Sequence, residues 1–133
     1  MTAEELVLDE TRAWLVRAHR DIRSADVLIA AEMHAEALFH CQQALEKALK
    51  AFLAFHQRPF RKTHELKELA PDILAIEASL QVPVEQADAL SKYAWRFRYP
   101  GELYEPDAAE AAQVLLQATE IVRAIESRLP ATA

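Results

Sequence analysis

Apolar residues recur along this chain at steps of three and four, the spacing that lines one face of an α-helix. The first such run is Leu15, Ala18, Ile22, Ala25 and Ile29. It follows an opening Thr2-Ala3-Glu4-Glu5 that fits a capping box, with Thr2 as cap and Glu5 reaching back to it, and predicts a first helix to about Ala31. A second helix, from about His34 to His56, places Leu38, Cys41, Leu45, Ala48, Phe52 and Phe55 on its apolar stripe. The same spacing assigns Gln42, Gln43, Glu46, Lys47 and Lys50 to its other faces. Pro59 disfavours helical geometry at Arg58 and donates no backbone hydrogen bond, so the run Gln57-Arg58-Pro59-Phe60-Arg61-Lys62 reads as a loop. Thr63 can cap a third helix starting near His64 and carrying Leu66, Leu69, Ile73, Leu74 and Ile76, which Pro71 is expected to kink or split. Pro83 suits the first turn of a fourth helix, running through Val84, Ala87, Leu90 and Ala94 until Pro100 and Gly101 end it. Asp107 with Glu110 repeats the capping spacing, and Ala108, Ala111, Leu115, Ala118, Val122, Ile125 and Leu129 predict a long last helix.

No stretch of four to eight residues alternates apolar and polar with turn signals at its ends, so no strand is predicted. Three long helices and two shorter ones joined by short loops imply an all-α, up-down four- or five-helix bundle, one domain over residues 1–133. Composition narrows the function classes. No apolar run approaches the roughly 20 residues that span a bilayer, and the acidic start MTAEELVLDE has neither the basic start nor the apolar stretch of a targeting segment. A soluble, cytoplasmic protein without membrane contact is the expectation. Cys41 is the only cysteine, which excludes an intrachain disulfide and a cysteine zinc cage within one chain. Gly101 is the only glycine, which excludes the glycine-rich phosphate loops of P-loop and dinucleotide-binding folds.

The net charge of −6 argues against a general polyanion binder, but the charge is unevenly spread. Residues 47–67 hold Lys47, Lys50, Arg58, Arg61, Lys62 and Lys67 against Glu65 alone, and residues 92–98 add Lys92, Arg96 and Arg98 with no acid. Two readings stand. Either these residues keep the surface soluble and pair with nearby acids, or the fold is bipolar, which requires the end of the second helix to lie near the end of the fourth.

The candidate chemistry is sparse. His34, His40, His56 and His64 form no i, i+4 pair and no H-E-x-x-H motif, so no metal or other cofactor is expected. His40 falls near the apolar stripe, where a hydrogen bond within the bundle is its expected role. Glu46 and Lys50 have the favourable order for a helical ion pair, worth a few tenths of a kcal/mol if exposed and of interest only if buried. Tyr93, Trp95, Phe97, Tyr99 and Tyr104 surround Arg96 and Arg98, a mixture that can stack bases and hold phosphates, or simply cap a core. Cys41 lies on an apolar helical face and no nucleophile motif is present, so covalent catalysis has no support.

The run Phe39-His40-Cys41-Gln42-Gln43-Ala44-Leu45-Glu46-Lys47-Ala48-Leu49-Lys50-Ala51 resembles the second-helix signature of HEPN domains, with the pattern Q-A-x-E-K-x-x-K. Trp14, Leu15, Ala18, Asp21 and Ala25 in the first helix, Thr63-His64-Glu65-Leu66 after the loop, and Arg98-Tyr99-Pro100 agree with it, so the resemblance covers most of the chain. His40, Gln43, Glu46, Lys50 and Pro100 are the residues of that family pattern. The resemblance implies a small prokaryotic bundle, commonly a homodimer, often encoded beside a minimal nucleotidyltransferase as a toxin–antitoxin pair. Many HEPN proteins are metal-independent ribonucleases that use Arg and His in an R-x(4–6)-H motif. Here Tyr104 stands where that histidine is expected after Arg98, and tyrosine is neutral at pH 7 and a weak base. The spacing of Arg58 and His64 matches by number but lies after the second helix, away from the family's motif.

The Arg-Tyr-Pro form is similar to the branch of the family without the nuclease motif, which implies binding rather than catalysis. In that reading Arg98 contacts phosphate, Tyr99 and Tyr104 stack or hydrogen-bond, and Lys47 with His64 completes the pocket. The ligand is then a nucleotide or another phosphate-bearing molecule, the partner a minimal nucleotidyltransferase. Two alternatives are a ribonuclease toxin in which Tyr104 or His64 replaces the missing acid–base group, and a purely structural dimeric adaptor.

Overall fold

The computed structural model describes residues 1–60, 66–94 and 105–130. It comprises five α-helices: α1 (Ala3–Ala30), α2 (His34–Phe55), α3 (Leu66–Ile76), α4 (Gln81–Leu90) and α5 (Ala108–Glu126). Short 3-10 turns precede α4 at Ala78–Leu80 and extend it at Ser91–Ala94. No strand occurs among the described residues, as the absence of alternation predicted.

The helix starts follow from the sequence. Thr2 accepts from the Glu5 amide at 3.1 Å while Glu5 returns the bond to the Thr2 amide at 2.9 Å, closing the capping box. Asp107 caps α5 through the Glu110 amide at 2.8 Å. Pro83 occupies the third position of α4, in the first turn, where its missing N–H costs no helical bond. The expected cap at Thr63 lies outside the described residues.

The helix ends use a device without glycine. After α1, the Glu32 amide bonds to the Ile29 carbonyl and the Met33 amide to Leu28. After α2, Gln57 bonds to Ala54 and Arg58 to Leu53. Both are Schellman closures, in which one residue adopts left-handed geometry; here Glu32 has φ 61° and Gln57 φ 56°.

Helix α3 is not split at Pro71, because it continues through the proline as one helix. Leu66, Leu69 and Ile73 are buried on its inner face while Pro71 faces solvent. Packing on both sides of the proline therefore holds the helix together where a backbone bond is lost.

Side-chain hydrogen bonds give the topology. His34 contacts the Pro106 carbonyl, so α2 and α5 begin at the same end of the bundle. Arg128 at the far end of α5 meets Ser79, and Tyr93 bonds to Glu110 in the first turn of α5. The segment from α3 to Ser91–Ala94 thus returns the chain to the end where α5 starts, which makes the molecule an up-down bundle. Helix α2 lies at its centre: fifteen of its twenty-two residues are buried, against α1, α5 and the short elements, so it has no broad solvent face.

Candidate functional site

The central position of α2 reverses the expectation for its polar residues. Gln42 and Glu46, assigned by spacing to other faces than the apolar stripe, are 0% and 2% exposed, and Lys50 is 8% exposed. The Glu46–Lys50 pair, at 3.1 Å, is therefore internal and not the exposed pair that i, i+4 spacing suggests. Its ammonium lies 5.4 Å from the centre of the Trp14 ring and 5.7 Å from that of Phe60. Trp14 and Phe60 meet edge to face at 5.9 Å, forming an aromatic lid over the pair.

Nearer the start of α2 lies a second polar group, on the α1 side. Asp21, 7% exposed, accepts from His40 Nδ1 at 2.8 Å through one carboxylate oxygen and from Lys47 Nζ at 2.5 Å through the other. A buried carboxylate without partners would cost several kcal/mol, so these two donors are what make Asp21 tolerable between the helices. His40 thus has the bundle hydrogen bond expected for it, and Lys47 is a partner of Asp21. Asp21 received no role from sequence reasoning, although a signal was present: an acid at step three after Ala18 and step four before Ala25, inside the apolar rhythm of α1.

Asp21 also acts on its neighbour Cys41. Burial first, and then the Asp21 charge, push the Cys41 thiol up to about 12, so it stays protonated and inert. At the other end of α2, burial and the Arg58 charge lower the His56 imidazole, opposed by Glu77. His56 also lies against the rings of Phe52 and Phe55. Among the described residues no group of three or more histidine, cysteine or carboxylate side chains could hold a metal ion.

Of the residues proposed to bind ligand, only Lys47 is described. Arg98, Tyr99, Tyr104 and His64 lie outside the described residues, as does Pro100 of the family pattern. The flanks of the segment are placed, however. Tyr93, 4% exposed, donates to Glu110 at 2.7 Å, and Pro106 is joined to His34. Both ends of residues 95–104 are therefore tied to the end of the bundle where α2 and α5 begin. The bipolar arrangement suggested by charge required the end of the fourth helix to lie near the end of the second, and Tyr93 instead belongs to the opposite end of α2, which is about 33 Å long.

A groove of about 330 Å³ lies at the opposite end, between Ala3, Glu4, Val7 and Leu8 of α1 and Phe55 and Gln57 at the close of α2.

A family model described as HEPN domain matches residues 11–128. The chain belongs to the HEPN family. The matched span of the HEPN domain takes in the Asp21 and Glu46 pairs and the segment around Arg98. The crystal structure of TT1696 from Thermus thermophilus is similar to this HEPN chain, with a TM-score of 0.75 and 26% sequence identity over 90% of this chain and 98% of that one. No curated protein matches it. No helix among the described residues is long and apolar enough to cross a membrane.

Proposed function

We propose that this HEPN bundle is a binding protein that takes a phosphate-bearing ligand, a nucleotide above all, through the basic and aromatic segment around Arg98. The observation that carries the reading is the tethering of that segment at both flanks, through Tyr93–Glu110 and His34–Pro106, to the end where two helices begin. Helix N-termini present unsatisfied N–H groups and the positive end of the helix dipole, which favour an anion. At α2 this effect is undiminished by a side-chain cap, because Met33 precedes its first turn. Arg96 and Arg98 add fixed positive charge, and Trp95, Tyr99 and Tyr104 add rings for a base.

The polar groups of α2 support binding over catalysis. His40 and Lys47 both engage Asp21, and Lys50 engages Glu46, so these residues serve the packing of the bundle. Tyr104 in place of the motif histidine removes the usual acid–base group. In the cell such a protein fits a toxin–antitoxin-like module, as a cytoplasmic homodimer that meets the phosphate-bearing substrate of a minimal nucleotidyltransferase partner.

Thermal-shift measurements with ATP, GTP, short RNA and inorganic phosphate test this, since a ligand of the native state raises the melting temperature by mass action. We expect a shift with at least one nucleotide and its loss in Arg98→Ala. Metal-independent cleavage of the RNA by the purified protein would contradict the binding reading and support a nuclease.

A further inference from the structure

His40 uses one edge of its ring to hold the bundle together and leaves the other edge unassigned. Its Nδ1 lies 2.8 Å from Asp21 Oδ1. A carboxylate only accepts, so in the neutral ring Nδ1 carries the proton and Nε2 holds the lone pair. No hydrogen bond among the described residues engages Nε2. The His40 side chain is 33% exposed, and Nδ1 turns inward to a carboxylate that is 10% exposed, so the open edge is the one with Nε2. This is how an imidazole nucleophile is prepared. The buried carboxylate fixes the tautomer, orients the ring and stabilises the cation that forms when Nε2 gains a substituent.

We propose that His40 Nε2 accepts a phosphoryl group from a phosphoramidate, the class of donor to which a phosphohistidine of another protein belongs. The Nε2 lone pair attacks phosphorus and forms an N–P bond, while the donor's own P–N bond breaks and its electron pair stays on the donor nitrogen. That nitrogen enters protonated and leaves neutral, and His40 becomes an imidazolium that keeps its Nδ1 proton, so atoms, electrons and charge balance. At that moment the bond to Asp21 becomes charge-assisted. The surrounding charge suits a phosphoryl group. Lys47 stands on the other oxygen of the same carboxylate, and its side chain is 24% exposed. Arg17, one turn before Asp21 on α1, is exposed and belongs to no ion pair among the described residues. The opposing charge is Glu36, exposed and one turn before His40 on α2.

Two other histidines of the chain are internal references. His34 gives Nδ1 to the Pro106 carbonyl, which is neutral, and His19 pairs with Glu126 in the open, where solvent screens the pair. The test incubates the full-length protein with potassium phosphoramidate at about pH 8, where an unperturbed imidazole is neutral, and maps acid-labile phosphoryl groups by mass spectrometry. His40 is expected to be modified about tenfold faster than His19 or His34. Glu36→Gln, an exposed change that leaves the core alone, is expected to raise the His40 rate about threefold by removing like charge. Asp21→Asn keeps the shape but not the charge, and is expected to lower the His40 rate about tenfold, with folding followed by circular dichroism. Should Asp21→Asn fail to fold, the comparison with His19 and the Glu36→Gln rate decide alone. A His40 rate no greater than that of His19 overturns the proposal, and so does a rate that no folded variant changes.

Discussion

At the scale of single residues, the structure shows where this sequence departs from the easiest solution. Glu32 and Gln57 hold left-handed geometry in the closures after α1 and α2, a conformation that costs a residue with a Cβ roughly 1 kcal/mol. Glu32→Gly and Gln57→Gly are therefore expected to stabilise the protein by about 0.5–1 kcal/mol each, read as a higher urea midpoint at unchanged slope. Lys50 gives the opposite case. Lys50→Ala strips Glu46 of an internal partner and uncovers Trp14 and Phe60, and a loss of about 3 kcal/mol is expected in the same experiment. His56 supplies a pH dependence. Its imidazole titrates below the usual histidine value because burial, then Arg58, disfavour the cation, so the fold holds it neutral. The associated stability is present above the ordinary histidine pKa near 6.5 and is lost as pH falls through the lowered one. His56→Gln is expected to flatten the fall in melting temperature between pH 7 and pH 5, and an unchanged profile would contradict this.

At the scale of elements, periodicity located all five helices, and the side chains that cap them named their starts: Thr2, Asp107 and the first-turn proline at Pro83. Two features escaped it for physical reasons. The fate of Pro71 depended on tertiary packing, since Leu66 and Ile73 on either side supply the burial that keeps α3 continuous. Pro71→Ala restores a backbone donor on a solvent-facing position and is expected to stabilise the protein by about 1–3 kcal/mol. The burial of Gln42, Glu46 and Lys50 was equally hidden. An apolar stripe shows which face of a helix must be covered, but not that the neighbours of α2 would also enclose its polar side. The Asp21–His40–Lys47 group had a faint signature in each helix, and only their antiparallel packing joins it.

At the scale of the whole molecule, the sequence carried the family further than the chemistry. The HEPN signature on α2 is built from residues that the fold uses internally: Glu46 and Lys50 pair with each other, His40 and Lys47 with Asp21. A motif of this kind identifies the bundle because it holds the bundle together, and so it says little about what the protein binds. The proposed ligand site is instead the segment after Tyr93, whose flanks reach the end where α2 and α5 begin. A titration of the intact protein with ATP, following tryptophan fluorescence, tests that assignment most directly, with Arg98→Ala and Arg128→Ala measured in parallel. Saturable binding is expected that weakens with salt, is lost in Arg98→Ala and persists in Arg128→Ala, which lies at the other end of α5. Binding that survives Arg98→Ala unchanged would contradict it.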